Sequence, residues 1–134
     1  MTRCLAARWA VLCLFPLAAR AAELDVRVIA ASTAGQQVDA SLRDIEPLLR
    51  RHLNFTSFEL VKRGTIRLPS EGRPLALGDV AIRCLGGQER LAITIEQSGR
   101  VVVQTQTSLR HRHPLVFSGL PGPRGTLLIA LLLR

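Results

Sequence analysis

The chain has 134 residues, of which 48% are hydrophobic and 4% aromatic, and it carries a formal net charge of +8. This length suits one domain and is too short for two separate hydrophobic cores, and the apolar content excludes a disordered tail. Few aromatic rings are available for stacking on bases, so we expect no nucleic-acid partner.

Residues 1–21 have the three-part pattern of a cleavable signal peptide. Arg3 and Arg8 give a positive start, residues 9–17 form a short apolar stretch, and an Ala-Arg-Ala sequence ends at Ala21. We therefore predict cleavage near Ala21 and export to the periplasm or out of the cell. An uncleaved membrane anchor is the alternative, but the apolar stretch is shorter than the ~20 residues that a spanning helix needs.

Removal of residues 1–21 changes the composition of what remains. The segment holds three of the 18 cationic residues and no acidic ones, which leaves 15 cations against 10 acidic residues, a net charge of +5. It also holds two of the three cysteines, so the exported chain keeps only Cys84. Cys84 is in phase with Val80 and Ile82 on a strand pattern, which predicts a buried, unreactive thiol. Pairing between chains or a reactive thiol is the alternative.

The exported part begins with a strand, residues 24–31, followed by the one helix that the sequence predicts. Apolar residues recur at spacings of three and four across residues 40–53, which places them on one helical face. These residues are Leu42, Ile45, Leu49 and Leu53. Pro47 interrupts the pattern, so the helix either bends there or begins only near Ile45.

After the helix, alternating apolar residues predict strands to the end of the chain. Gly64 is expected to break the first of them, and two runs around Ser98-Gly99 give the strongest hairpin signal. Residues 126–133 are apolar at nearly every position, which predicts a strand covered on both faces. With about 7–8 antiparallel strands and one α-helix (about 40–53), residues 22–134 are predicted to form a single mainly β domain, a β-sandwich or partly open barrel.

The most cationic short stretch consists of Arg110, His111, Arg112 and His113. On a strand the two histidines would face the same side, but a metal site needs three or four ligands, and no carboxylate or Cys lies nearby in sequence. We therefore expect no metal ion here and interpret the stretch first as a solvated basic turn. A site for an anion or an acidic partner surface is the alternative.

The sequence offers no nucleophile with a base and an orienting acid in a recognisable frame. Ser118-Gly119 lacks the Gly-x-Ser-x-Gly pattern because Val116 stands in place of its first Gly. We therefore predict no catalytic residues, no cofactor and no enzyme activity, with a metal-dependent enzyme as a distant alternative. Asn54-Phe55-Thr56 fits the N-glycosylation sequon, which matters only in a eukaryotic source.

Two stretches resemble small exported proteins predicted from bacterial genomes. In residues 48–60 a Leu-rich helix runs into an aromatic–Ser–aromatic strand, and in residues 105–129 a Thr-rich strand, a Gly/Pro loop and an apolar last strand follow one another. The loop between those strands is usually Gly-rich in that group, whereas this chain has His111-Arg112-His113. The resemblance implies a bacterial, exported, single β domain; the group has no established activity, so it implies no site residue.

Together these features predict a non-enzymatic binding or assembly module of the bacterial envelope, periplasmic or secreted. Its partner would be another envelope protein or a second copy of itself, because a sheet edge can add a partner strand. We expect no transmembrane segment once residues 1–21 are removed. The alternative is an anion- or polymer-binding protein that uses Arg110–His113.

Overall fold

In the computed structural model, eight strands form two antiparallel sheets of four strands each. The structure describes residues 22–52 (His52 without its side chain), 54–111, 113–122 and 125–134, so the predicted signal peptide, Leu53 and Arg112 lie outside it. The strands are β1 (Ala22–Ser32), β2 (Ser57–Leu68), β3 (Ser70–Leu77), β4 (Val80–Gly87), β5 (Arg90–Gln97), β6 (Arg100–Thr107), β7 (Leu115–Gly122) and β8 (Gly125–Leu133), and the helix α1 is Glu46–His52.

The two sheets pack face to face as a sandwich. The first has the strand order β2-β1-β8-β7 and the second β3-β4-β5-β6. Aliphatic residues of the two inner faces form the main core, with Val26 and Ile129 from the first sheet and Ile82, Cys84 and Ile93 from the second. The fold is therefore mainly β, as predicted, and the sandwich rather than a barrel is the arrangement found.

Helix α1 and the turn before it cover the outer face of the first sheet. Leu42, Ile45 and Leu49 pack there against Ile29 and Leu128 in a second, smaller core. A helix of seven residues is marginal by itself in water, so this packing holds it in place. The prediction that β8 is covered on both faces is confirmed, because one face of that strand packs in the sandwich core and the other packs against the helix layer.

The helix is shorter than the apolar pattern indicates. Residues 40–42 form a 3-10 turn, in which the Asp39 carboxylate accepts a hydrogen bond from the Ser41 N–H at 3.1 Å. The α-helix itself begins at Glu46 and places Pro47 in its first turn, where a missing N–H costs nothing. The prediction of a helix from about residue 40 is therefore wrong, and the alternative start near Ile45 is correct.

Strand β2 runs without a break through Gly64, so the predicted interruption there is also wrong. A Cβ atom on Gly64 would lie 2.9 Å from a methyl carbon of Leu75. The glycine therefore serves a close approach between β2 and β3 rather than a turn.

The predicted hairpin around Ser98-Gly99 is confirmed as the β5–β6 pair. Ser98 (φ 52°) and Gly99 (φ 80°) both adopt the left-handed conformations that a tight two-residue hairpin turn needs. The register then shifts, because Ile95 lies opposite Val103 while Glu96 lies opposite Val101. Val102 is thus the extra residue of a β-bulge.

Candidate functional site

A sandwich of two open sheets has four edge strands, here β2 and β7 in the first sheet and β3 and β6 in the second. An edge strand presents a row of backbone N–H and C=O groups that can pair with another chain. Proteins block such edges with charged side chains, proline, bulges or a covering segment. The four edges of this sandwich differ in how far they are blocked.

Three of the edges carry these blocking features. Strand β2 has a register shift and exposes Lys62 and Arg63, and it contacts the neighbouring edge strand β3. Strand β3 contains Arg73, Pro74 and a register shift of its own. Strand β7 contains Pro121 and an irregular register with β8. Regular runs without charge or proline on these three edges are no longer than three residues.

Strand β6 is the exception among the four. Its sequence is RVVVQTQT, in which Arg100 at the first position carries the one charge. After the bulge at Val102, residues 103–107 pair regularly with β5 and contain no proline, glycine or charge. Val101 and Val102 are 55% and 44% exposed, so apolar surface lies beside the open backbone edge.

The side of β6 that faces the sandwich is also open. Thr105 lies opposite Ile93 and Thr107 opposite Leu91, so both threonines share the inner face with fully buried residues of β5. Thr105 is nevertheless exposed and Thr107 only partly buried. The first sheet therefore does not extend over the β6 margin of the second sheet, and a strand added beside β6 would meet no covering element there among the described residues.

Three residues of the cationic stretch, Arg110, His111 and His113, lie in the connection between β6 and β7. The His113 N–H donates to the Arg110 carbonyl at 3.3 Å, and the exposed His111 sits in the intervening turn. Arg112 lies outside the described residues. The described residues Arg110, His111 and His113 form an exposed turn and not a strand, so the strand geometry that would place the two histidines side by side is absent among them.

Arg110 faces a groove that the sequence does not reveal. The groove has a volume of about 460 Å³, and its lining includes Arg51 of α1, Pro47, Pro114 and Leu132. Two arginines from distant parts of the chain thus line one groove with a mainly apolar floor, and Asp44 also lines it. Their spacing in sequence gives no signal of this, because the docking of α1 on the first sheet brings them together.

A buried ionic cluster lies under the helix layer, on the outer face of β1. Asp25 and Arg27 are each only 2% exposed, and the Asp25 carboxylate accepts hydrogen bonds from three guanidinium groups. The distances are 3.0 and 3.2 Å from Arg27, 2.8 and 3.1 Å from Arg63, and 2.9 Å from Arg134. Arg27 also binds Asp44 at 2.8 Å through two nitrogens, which ties β1 to the segment before α1.

These contacts decide the ionisation of the cluster. Burial by itself would raise the pKa of Asp25, but the hydrogen bonds from Arg63, Arg134 and Arg27 outweigh it and lower that pKa. The hydrogen bonds from Arg27 likewise lower the pKa of Asp44. The cluster is therefore fully charged at neutral pH and fastens the helix layer to the sheet. Alternation along β1 puts Asp25 and Arg27 on the face opposite the core residues Val26 and Val28, and the sequence gives no signal that the helix segment covers that face.

Cys84 lies in the main core and is fully buried, as predicted. Burial raises the pKa of its thiol to about 11. The thiol therefore stays protonated at neutral pH, which makes it a poor nucleophile and a poor metal ligand.

An apolar cavity of about 350 Å³ opens between the two sheets at the end that carries the β3–β4 turn. Val28, Leu77, Val80 and Leu127 line it, together with the buried Gln97, whose amide donates to the Pro121 carbonyl at 2.7 Å. The cavity has room for an aliphatic group, and Glu59, Lys62 and Asp79 also belong to its lining.

Two further findings concern the described part of the chain. No group of three or more His, Cys, Asp or Glu side chains there could hold a metal ion, and no described helix is both long and apolar enough to cross a bilayer. Comparison with protein-family models, with curated proteins and with solved structures finds no match to this chain.

Proposed function

We propose that the chain is an exported, non-enzymatic module of the bacterial envelope that binds a partner by adding one of the partner's strands to β6. The signal-peptide pattern of residues 1–21 supports export. The observation that carries the binding role is the open edge of β6, the one described edge strand with a regular run of five residues free of charge and proline.

The chemistry of this edge sets what the partner must supply. An added strand pairs its backbone with β6, and its alternate side chains decide specificity. Each hydrogen bond gained in this way contributes about 1 kcal/mol net, so the five residues 103–107 alone give weak binding. Cover over Val101 and Val102 adds a hydrophobic contribution. We therefore expect the partner to present an extended segment of at least five residues with an apolar end.

Site-specific photo-crosslinking in cells tests this proposal. A benzophenone amino acid replaces Gln104, which is exposed on β6, and in a matched control it replaces Leu85, which is exposed on the internal strand β4. We expect a discrete adduct from position 104 only, and we expect Thr105→Lys to reduce its yield because a charge on an edge strand opposes pairing. Absence of an adduct at position 104, or equal adducts at both positions, would contradict the proposal.

A second candidate function is anion binding in the groove between Arg51 and Arg110. The specific observation is that these two cations line one groove with a mainly apolar floor, which suits an amphiphilic anion. Asp44 also lines this groove, but Arg27 pairs with its carboxylate. The test compares Arg51→Ala/Arg110→Ala with Arg67→Ala/Arg90→Ala, which removes the same charge from exposed positions elsewhere. Retention on an anionic resin across a salt series should fall more in the first variant. Equal loss in both variants would show that net charge, and not the groove, explains the retention, and would contradict this second function.

A further inference from the structure

We infer that the strand added to β6 is β6 of a second copy, paired antiparallel about a two-fold axis at Thr105. This inference rests on the proposed function and names its partner. It follows from the pattern of residues along the edge, from the position of the bulge and from the distribution of charge.

The bulge and the alternation of side chains fix the register. In an antiparallel pair, residues directly opposite each other lie on the same face of the sheet. A symmetric pair of identical strands must therefore be centred on a residue and not between two residues. The bulge at Val102 ends the regular part of β6, so the usable run is Val103–Thr107, and its middle residue is Thr105.

This register places matching side chains opposite each other. Thr105 meets Thr105, Gln104 meets Gln106, and Val103 meets Thr107. Cross-strand pairs of threonine and of side-chain amides stabilise a sheet, whereas like charges directly opposite each other destabilise it. None of the five paired positions carries a charge, so the run is complementary to itself on both faces.

The one charge of β6 lies away from the centre of this pair. Arg100, the one charged residue of β6, sits outside the paired run at opposite ends of the two strands. A rise of about 3.4 Å per residue puts the two copies of Arg100 roughly 30 Å apart, well beyond the screening length of about 8 Å at physiological salt. The net positive charge of each copy still opposes association, so salt should strengthen the dimer.

The result would be one continuous sheet of eight strands across two sandwiches, with β3 at both outer edges. In such an isologous contact the β6 edges of the two copies pair with each other, so neither edge stays open. The blocked edge β3, with Arg73 and Pro74, then ends the sheet on both sides and stops further growth.

Cysteine cross-linking of the purified protein tests the inferred register. Cys4 and Cys13 are replaced by Ser, so that the buried Cys84 is the one other thiol. Thr105→Cys should give a covalent dimer under mild oxidation, because directly opposite Cα atoms lie about 4.5–5.5 Å apart, within disulfide reach. Gln106→Cys is the matched control, since position 106 of one copy lies diagonally from 106 of the other, beyond that reach.

Light scattering on the unmodified protein should give twice the mass of one chain. Thr105→Lys should raise the dissociation constant of the dimer about fivefold or more, which corresponds to about 1 kcal/mol from opposed like charges. A monomer with no disulfide at position 105, or equal cross-linking at 105 and 106, would overturn the inference. If the purified protein is a monomer but position 104 gives a photo-adduct whose mass differs from that of two chains, the proposed function stands and only the second copy is excluded. A monomer with no photo-adduct overturns both.

Discussion

The ionic cluster around Asp25 gives the sharpest prediction about stability. Asp25→Asn keeps the shape of the side chain but removes the negative charge that three guanidinium groups share. The change leaves Arg27 buried, with Asp44 as its remaining anionic partner. Removal of one partner of a buried ion pair typically costs about 3–5 kcal/mol, because the other charge stays buried.

The expected magnitude follows from how much of each pair is buried. The contacts to Arg63 and Arg134 involve exposed guanidinium groups, and such pairs are worth about 0–1 kcal/mol each. The contact to Arg27 is buried on both sides and dominates. Because Asp44 still neutralises Arg27, we expect the free energy of unfolding to fall by about 3 kcal/mol, at the low end of the range for a broken buried pair.

Equilibrium unfolding in urea measures this change, and Arg27→Met supplies the complementary variant. Replacement of both members of a buried pair by uncharged side chains is often close to neutral, so Asp25→Asn/Arg27→Met should be more stable than Asp25→Asn alone. A loss below about 1 kcal/mol in Asp25→Asn, the value of an exposed pair, would refute the view that the buried pair fastens the helix layer.

Three further predictions follow from the same structure. The pKa values of Asp25 and Asp44 are lowered in the folded protein. The two carboxylates therefore contribute fully to the free energy of unfolding above the ordinary Asp pKa of about 3.9, and this contribution is lost as the pH falls from there through their pKa values in the folded protein. Urea unfolding from pH 6 to pH 2 should show this decline, and Asp25→Asn should flatten it; an equal slope in both proteins would contradict the assignment. Cys84 should react with a thiol reagent only after unfolding, and rapid labelling of the native protein, followed by mass spectrometry, would show that it is accessible. Gly64→Ala should cost about 1–3 kcal/mol through overpacking against Leu75, whereas Gly87→Ala, with no atom within 4 Å of the new Cβ, should cost less; thermal unfolding of the two variants compares them.

Much of the sandwich could be predicted from alternation and turn chemistry. The β5–β6 hairpin follows from two alternating runs around Ser98-Gly99. The doubly apolar β8 follows from its composition, because such a strand needs cover on both faces. Helix α1 was harder, since apolar spacing does not distinguish a 3-10 turn followed by a short helix from one long helix. The predicted break at Gly64 is wrong because the sequence does not distinguish a glycine that permits close packing from one that ends a strand.

The candidate site was less accessible to sequence reasoning. Alternation identifies β6 as a strand but does not give the order of strands in a sheet. That β6 is an edge strand is therefore known only from the structure. Charge drew attention to Arg110–His113, yet the partner of Arg110 in the groove is Arg51, which lies on a different element. The burial of Asp25 and Arg27 likewise depends on which face of β1 the helix layer covers.

Amide hydrogen exchange along Val103–Thr107 tests the central claim most directly. On a free edge strand, every second N–H points away from the sheet and exchanges quickly, whereas an added strand protects it. We predict slow exchange at the outward N–H groups of β6 in the assembled protein and fast exchange at the same positions in Thr105→Lys, with β4 unchanged. Fast exchange at these positions in both proteins, under conditions where the unmodified protein is assembled, would contradict the account.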